Sequence, residues 1–355
     1  MSERYPAMPP RVENPPYKRI AAEEAWLPPE IMDLYIKGLD DGTITDPGFR
    51  SLWGFFGKST TDKARAHNRR IQSLGDERLR DMDESGIDMA VLALSSPGVQ
   101  VFEPAQASAL ATMANDMLAE GIAAHPNRFV GLAAFSPLDI GQAEKELERG
   151  VTKLGLRGGI LNSHTMGVYL DDEKYWGLFE AAEALDVPIY LHPNTPPADM
   201  IDPFLPRGLD AAVYGFACET GLHALRLVVS GLFDRFPKLN IVLGHCGEAL
   251  PYWLYRIDYM HGHISKTGRY PNVQPLKRRA WDYLCDNFYY TSSGVGWTPP
   301  VKYVQDVIGK DRMMYAMDYP WQFVQGEVGV FDHMDVDDAI KKAFFEDNAR
   351  KVFKI

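Results

Sequence analysis

A chain of 355 residues with a formal net charge of −11 offers no basic face for phosphate, which excludes nucleic acid as its natural partner. Apolar residues at 46% and aromatics at 12% exclude a disordered chain. Three cysteines (Cys218, Cys246, Cys285) without a CxxC pair argue against structural disulfides and for a reducing, cytoplasmic setting; no apolar run approaches the roughly 18 residues of a membrane span.

Residues 1–18, "MSERYPAMPPRVENPPYK", carry charges and prolines but no apolar centre, so they read as an extended arm around the domain or a neighbouring subunit rather than a signal peptide. Short apolar runs then recur: "RIAAEEA" at 19–25, "IDMAVLAL" at 87–94, "RFVGLAAF" at 128–135 and "LRGGILN" at 156–162. They continue with "PIYLHP" at 188–193, "LNIVLGHCG" at 239–247, "FYYTSSG" at 288–294 and "RMMYAMDYP" at 312–320. Amphipathic helical patterns separate most of them, as in "ASALATMANDMLAEGIAAHP", "EKYWGLFEAAEALD" and "LHALRLVVSGLFDRFP". Such alternation predicts βαβ units around a parallel sheet covered on both faces. Eight strands over residues 19–355 fit a single α/β domain, a (β/α)₈ TIM barrel with inserted loops. An open doubly wound sheet is the second choice, but no GxGxxG follows the first strand. The long connections 26–80 and 194–220 belong over the C-terminal mouth of the barrel, where active-site loops gather.

Several strands end in unusual residues for a core strand: Glu23-Glu24 on the first, His192 on the fifth, His245 on the sixth and Asp318 on the eighth. A barrel gathers those ends into one ring. Carboxylates and imidazoles converging there repel and desolvate one another unless a cation neutralises them, and oxygen and nitrogen donors suit Zn²⁺, Mn²⁺ or Fe²⁺. Cys246, beside His245, falls on the opposite face by strand alternation and reads as structural.

The segments "IAAEEAW", "SLWGFF", "SPGVQ", "LNSHT", "HCGEALPYWLYRIDYMH" and "MYAMDYPW" resemble, in that order, the amidohydrolase superfamily. Within it they resemble the metal-dependent nonoxidative decarboxylases related to aminocarboxymuconate semialdehyde decarboxylase, nearest the branch that acts on 5-carboxyvanillate. The resemblance implies Glu23, His192 and Asp318 as ligands of one divalent metal per subunit, Mn²⁺ first and Zn²⁺ second, with no organic cofactor. Many amidohydrolases carry HxH on the first strand; here Glu23-Glu24-Ala25 lacks the second of those ligands. The likeness further implies His245 and Glu248 as a pair beside the substrate and Arg256 as a substrate contact. A guanidinium suits a carboxylate because its planar donors reach both oxygens. Lys63 stands where the carboxyvanillate branch has a second arginine, and Trp321 where it has a tyrosine, so both substrate-facing positions depart from the pattern.

The reaction so implied is decarboxylation of an ortho-hydroxylated aromatic acid, with the metal as Lewis acid and template. Asp318 protonates the ring carbon bearing the carboxylate, CO₂ leaves, and the ring regains its π system. Trp321, Phe55 and Phe56 are expected to wall the ring. A hydrolase or hydratase of the same superfamily shares this metal shell and is the alternative; a catalytically silent barrel is the other. The segment "GEALPYWLYRIDYMH" crowds Tyr252, Trp253, Tyr255 and Tyr259 together, which predicts a subunit contact and a homo-oligomer, dimer or tetramer.

Overall fold

The computed structural model describes residues 8–355. Eight parallel strands occur in chain order: β1 (Ile20–Trp26), β2 (Met89–Leu94), β3 (Phe129–Gly131), β4 (Gly159–Asn162), β5 (Ile189–His192), β6 (Ile241–Leu243), β7 (Phe288–Thr291) and β8 (Met313–Met314). Each lies within a predicted run or one residue beyond it. Regular pairing joins β1-β2-β3 and β4-β5-β6-β7-β8. The Ala133–Gly159 bridge links the two sets, with Ala133 N donating to Gly158 O at 2.8 Å. On the other side, Ala22 N donates to Tyr315 O at 2.9 Å and Ala25 N to Tyr319 O at 2.7 Å. The ring thereby closes, and the expected TIM barrel is the fold.

The eighth strand is shorter than its apolar run suggested, for a physical reason. Beyond Met314 the backbone leaves the ladder: Tyr315 N donates to Phe344 O at 2.9 Å, and the next N–H groups find side chains. Ala316 N donates to Ser292 Oγ at 3.0 Å, and Met317 N and Tyr319 N donate to the two carboxylate oxygens of Glu24.

The first long connection is helical rather than irregular: α1 (Pro29–Asp40), α2 (Pro47–Lys58) and α3 (Asp62–Gln72) precede α4 (Asp76–Ser85). Proline at the first turn and the Asp46 carboxylate, accepting from Phe49 N at 2.7 Å, start α2. Thr61 Oγ1 accepts from Ala64 N at 3.3 Å to start α3. The insertion folds over the mouth: Trp53 Nε1 donates to Ser96 O, after β2, at 3.2 Å. A Cβ at Gly48 would lie 2.1 Å from Thr195 Oγ1, after β5, so close approach of α2 requires glycine there. Outer helices α5 (Pro104–Ala124), α6 (Ile140–Thr152), α7 (Gly177–Leu185), α8 (Gly215–Val229), α9 (Leu250–Ile264), α10 (Ala280–Asp286) and α11 (Thr298–Val307) cover the barrel. Among the described residues no helix is long and apolar enough to cross a membrane.

Residues 1–7 of the expected arm lie outside the described residues. Its remainder runs across the N-terminal ends of the strands, opposite the mouth. Arg19 and Asp332 form a buried ion pair at 2.6 Å, and Arg19 Nη2 also donates to Val12 O at 2.6 Å. Breaking such a pair by removing one partner costs about 3–5 kcal/mol. A cavity of about 970 Å³ beside the arm is rich in charge, but its cations are engaged: Lys18 with Asp88, Arg128 with Asp83, Arg350 with Glu346.

Candidate metal centre

Glu23 on β1, His192 at the end of β5 and Asp318 after β8 place one ligand atom each within 4.8 Å of one another. Glu23 Oε1 lies 3.5 Å from His192 Nε2 and 4.0 Å from His245 Nε2, and His245 Nε2 lies 3.9 Å from Asp318 Oδ2. The supporting contacts orient each group. Glu23 Oε2 accepts from the Tyr190 hydroxyl and, at 2.9 Å, from Thr291 Oγ1. His192 Nδ1 donates to Pro193 O at 2.9 Å, which leaves the Nε2 lone pair facing the centre. Glu23 Oε1 is buried and has no hydrogen-bond partner. An orphaned carboxylate oxygen facing an imidazole lone pair and a second carboxylate is what a divalent cation satisfies, so these residues fit one.

His245 and Glu248 sit in a tight turn after β6. His245, Cys246, Glu248 and Ala249 all have φ between 51° and 62°, and Gly247 has φ 82°. Such backbone is sparsely populated for L residues and persists where packing imposes it. The turn folds Glu248 back beneath the imidazole: Glu248 Oε1 lies 2.7 Å from His245 Nδ1. Burial works against a charged His245, but the carboxylates of Glu248, Glu23 and Asp318 outweigh it and raise its pKa. Burial likewise raises the Asp318 carboxyl, against the lowering contact with His245. Cys246 lies in this turn beyond β6 and not on the strand, so strand alternation does not set its direction; burial pushes its thiol up to about 12.

The amidohydrolase family profile matches residues 63–355. The chain belongs to the amidohydrolase family. This amidohydrolase is 38% identical over 294 residues to gamma-resorcylate decarboxylase of a Polaromonas species, a match covering 81% of this chain and 89% of that protein. It is similar, at TM-score 0.95 and 46% identity, to 5-carboxyvanillate decarboxylase of Novosphingobium aromaticivorans complexed with manganese and 4-hydroxy-3-methoxy-5-nitrobenzoic acid; the likeness covers 99% of this chain and 100% of that one. A 2,6-dihydroxybenzoate decarboxylase from Rhizobium gives TM-score 0.82 at 33% identity over 95% of this chain and 99% of that one.

Other expected site residues of this amidohydrolase are placed variously. Trp321 packs edge-on to Trp53 and Phe56, at 5.5 and 4.9 Å between ring centroids. Its Nε1 donates to Ser95 Oγ at 2.9 Å, so it turns hydrocarbon and no free donor toward the mouth. Phe56 belongs to this wall; Phe55 is 56% exposed and does not. Lys63 is exposed on α3, one turn before His67. Arg256 is exposed on α9 among Tyr252, Trp253, Tyr255 and Tyr259, and forms no ion pair among the described residues.

Two contributors, His67 and Tyr190, escaped the sequence reading, and a third, Glu24, entered it only as a polar strand end. His67 packs tilted against Trp321 at 4.4 Å between ring centroids, and burial pulls its pKa down to about 4, so it is neutral. Tyr190 lies two residues before His192, on the same strand face, so period-two alternation was the signal that could have found it. Glu24 accepts from Met317 N and Tyr319 N on either side of Asp318; burial raises its carboxyl, and those two N–H bonds and Arg78 hold it down.

Proposed function

We propose that this chain is a metal-dependent decarboxylase of ortho-hydroxylated aromatic acids, with Glu23, His192 and Asp318 holding one divalent cation. The carrying observation is the partnerless, buried Glu23 Oε1 facing His192 Nε2 at 3.5 Å. Manganese, present in the Novosphingobium relative, is the first choice and zinc the second; the reading needs no organic cofactor. When bound, the cation supplies Lewis acidity and a template for the acid's oxygens.

The chain's own groups do the rest. Glu248 fixes the His245 ring through Nδ1, leaving Nε2 facing the centre to hydrogen-bond the ring hydroxyl. Asp318 delivers a proton to the ring carbon that bears the carboxylate. A C–H bond forms, the C–C bond to the carboxylate breaks, and its electron pair restores the aromatic ring as CO₂ departs. Asp318 then regains a proton from solvent. Trp321, Trp53 and Phe56 wall the ring and exclude water.

Lys63 is the nearby cationic contact of α3. The exposed aromatic face of α9 seats a second copy, and Arg256 serves substrate recognition only in an assembly that carries this face over a mouth. Dimer and tetramer both satisfy that requirement. The three free cysteines suit a cytoplasmic setting. Manganese-loaded protein incubated with 2,6-dihydroxybenzoate, 5-carboxyvanillate, 2,3-dihydroxybenzoate and salicylate tests the reading through CO₂ release and ring absorbance. Turnover of at least one acid with stoichiometric CO₂ is expected; no gas from any of them, or ring opening without gas, would overturn it.

A further inference from the structure

Glu23 and Glu24 are neighbours on β1, yet only Glu23 enters the metal centre. Glu24 is equally buried, and its carboxylate spans the backbone of the segment after β8. Oε1 accepts from Met317 N at 3.0 Å and Oε2 from Tyr319 N at 2.9 Å. Those two N–H groups flank Asp318, whose φ is 73°. An L residue keeps that left-handed conformation only where its surroundings impose it.

The same grip is reinforced from β1 and α4. Ala25 N donates to Tyr319 O at 2.7 Å, so both backbone groups of Tyr319 are bound to β1. Arg78 donates to Ala25 O at 2.7 Å and lies 4.8 Å over the Tyr319 ring, while the Tyr319 hydroxyl donates to Asp81 at 2.8 Å. Asp318 is therefore the one free-reaching side chain in a backbone turn held on either side. We propose, on the reading of Asp318 as a metal ligand given above, that Glu24 is a positioning residue whose carboxylate fixes the Asp318 main chain and so aims its side chain at the metal centre.

A carboxylate that merely satisfied two N–H groups would lower thermal stability on replacement but leave metal affinity alone. Glu24→Gln separates the two roles, because the amide keeps the shape yet offers one acceptor oxygen where two N–H groups need one each. The Mn²⁺ dissociation constant is read on metal-free protein from the free-ion electron paramagnetic resonance signal, with far-ultraviolet circular dichroism as the folding control. Expected are a folded protein, Mn²⁺ affinity weakened about tenfold or more, and kcat reduced by a similar factor with KM changed far less. Folded Glu24→Gln with natural Mn²⁺ affinity would overturn the proposal.

If Glu24→Gln proves insoluble, Glu24→Asp takes its place under the same criteria, its shorter carboxylate reaching one of the two N–H groups. Insolubility of both would also overturn the proposal, by making Glu24 a folding residue. Asp318→Ala, measured alongside, keeps the failures distinct. Undiminished affinity there sinks the ligand reading, whereas loss there with none in Glu24→Gln sinks only the clamp.

Discussion

Gly244→Ala tests Glu23 as a ligand without touching Glu23. Gly244 has φ −71° and ψ −177°, an extended conformation that alanine adopts freely, so the backbone imposes no penalty. The added Cβ would meet Glu23 Oε2 at 2.7 Å, Oε1 at 3.1 Å and Cδ at 3.3 Å. Opening the 2.7 Å approach to the 3.4 Å at which ordinary contact begins moves that oxygen by about 0.7 Å. Oε1, the oxygen facing His192, must open its 3.1 Å approach by about 0.3 Å to reach the same distance, and since metal–ligand distances tolerate about 0.2 Å it leaves coordinating range. Displacement also strains the bonds from Tyr190 and Thr291, at about 1 kcal/mol for a lost hydrogen bond. Affinity should fall at least about tenfold, equivalent to about 1.4 kcal/mol. Manganese at about a hundred times its natural Kd adds about 2.7 kcal/mol to stability, while a tenfold weaker variant gains only about 1.4 kcal/mol. Scanning calorimetry of stripped and manganese-loaded protein should therefore show the metal-induced rise in Tm roughly halved in the variant. An equal rise in both proteins would refute Glu23 as a ligand.

Glu219, buried behind β4 and bonded by Ser163 and Thr220, has its carboxyl pushed from 4.5 to about 8, chiefly by burial. Its contribution is present below the unfolded pKa and is lost as pH rises through the folded one. Glu219→Gln should thus gain in Tm on the natural protein between about pH 5 and 9, and parallel Tm curves would contradict this. Lys63→Arg with Trp321→Tyr should raise kcat/KM for 5-carboxyvanillate relative to salicylate by about tenfold, mainly through the hydroxyl at the half-buried position 321, since a buried hydrogen bond is worth about 1–3 kcal/mol and an exposed charge at position 63 adds little. An unchanged ratio would show that these positions do not set specificity. Trp253→Asp with Tyr255→Asp, at positions 49% and 73% exposed, should reduce the light-scattering mass to that of one chain; an unaltered oligomer would remove α9 from the interface.

Most of the barrel was legible because apolar runs of strand length alternate with amphipathic helices, and His192 and Asp318 stood out as polar ends of such runs. The length of β8 was not legible, since the acceptors that interrupt its ladder, Ser292 and Glu24, come from distant segments. Glu23 and Glu24 look alike in sequence; only the partners gathered by ring closure separate a carboxylate facing His192 from one that grips Met317 and Tyr319. Phe55 and Phe56 are likewise adjacent, and the helical turn of α2 sends one to solvent and the other to Trp321. His67 lies on an inserted helix, outside the strand-end pattern, and its place emerges from packing alone.

The seam between β1 and β8 has a consequence for synthesis. Glu24 and Tyr319 are 295 residues apart, and the N–H groups of Ala22 and Ala25 are answered by Tyr315 and Tyr319. A chain emerging from the ribosome amino end first carries β1 as an open edge, with Glu23 and His192 already made and Asp318 still missing. The seam seals only when nearly the whole chain has been translated. Metal capture by all three candidate ligands is thus a late event, and a truncated chain ending before residue 315 leaves the edge open and the centre without its third candidate ligand.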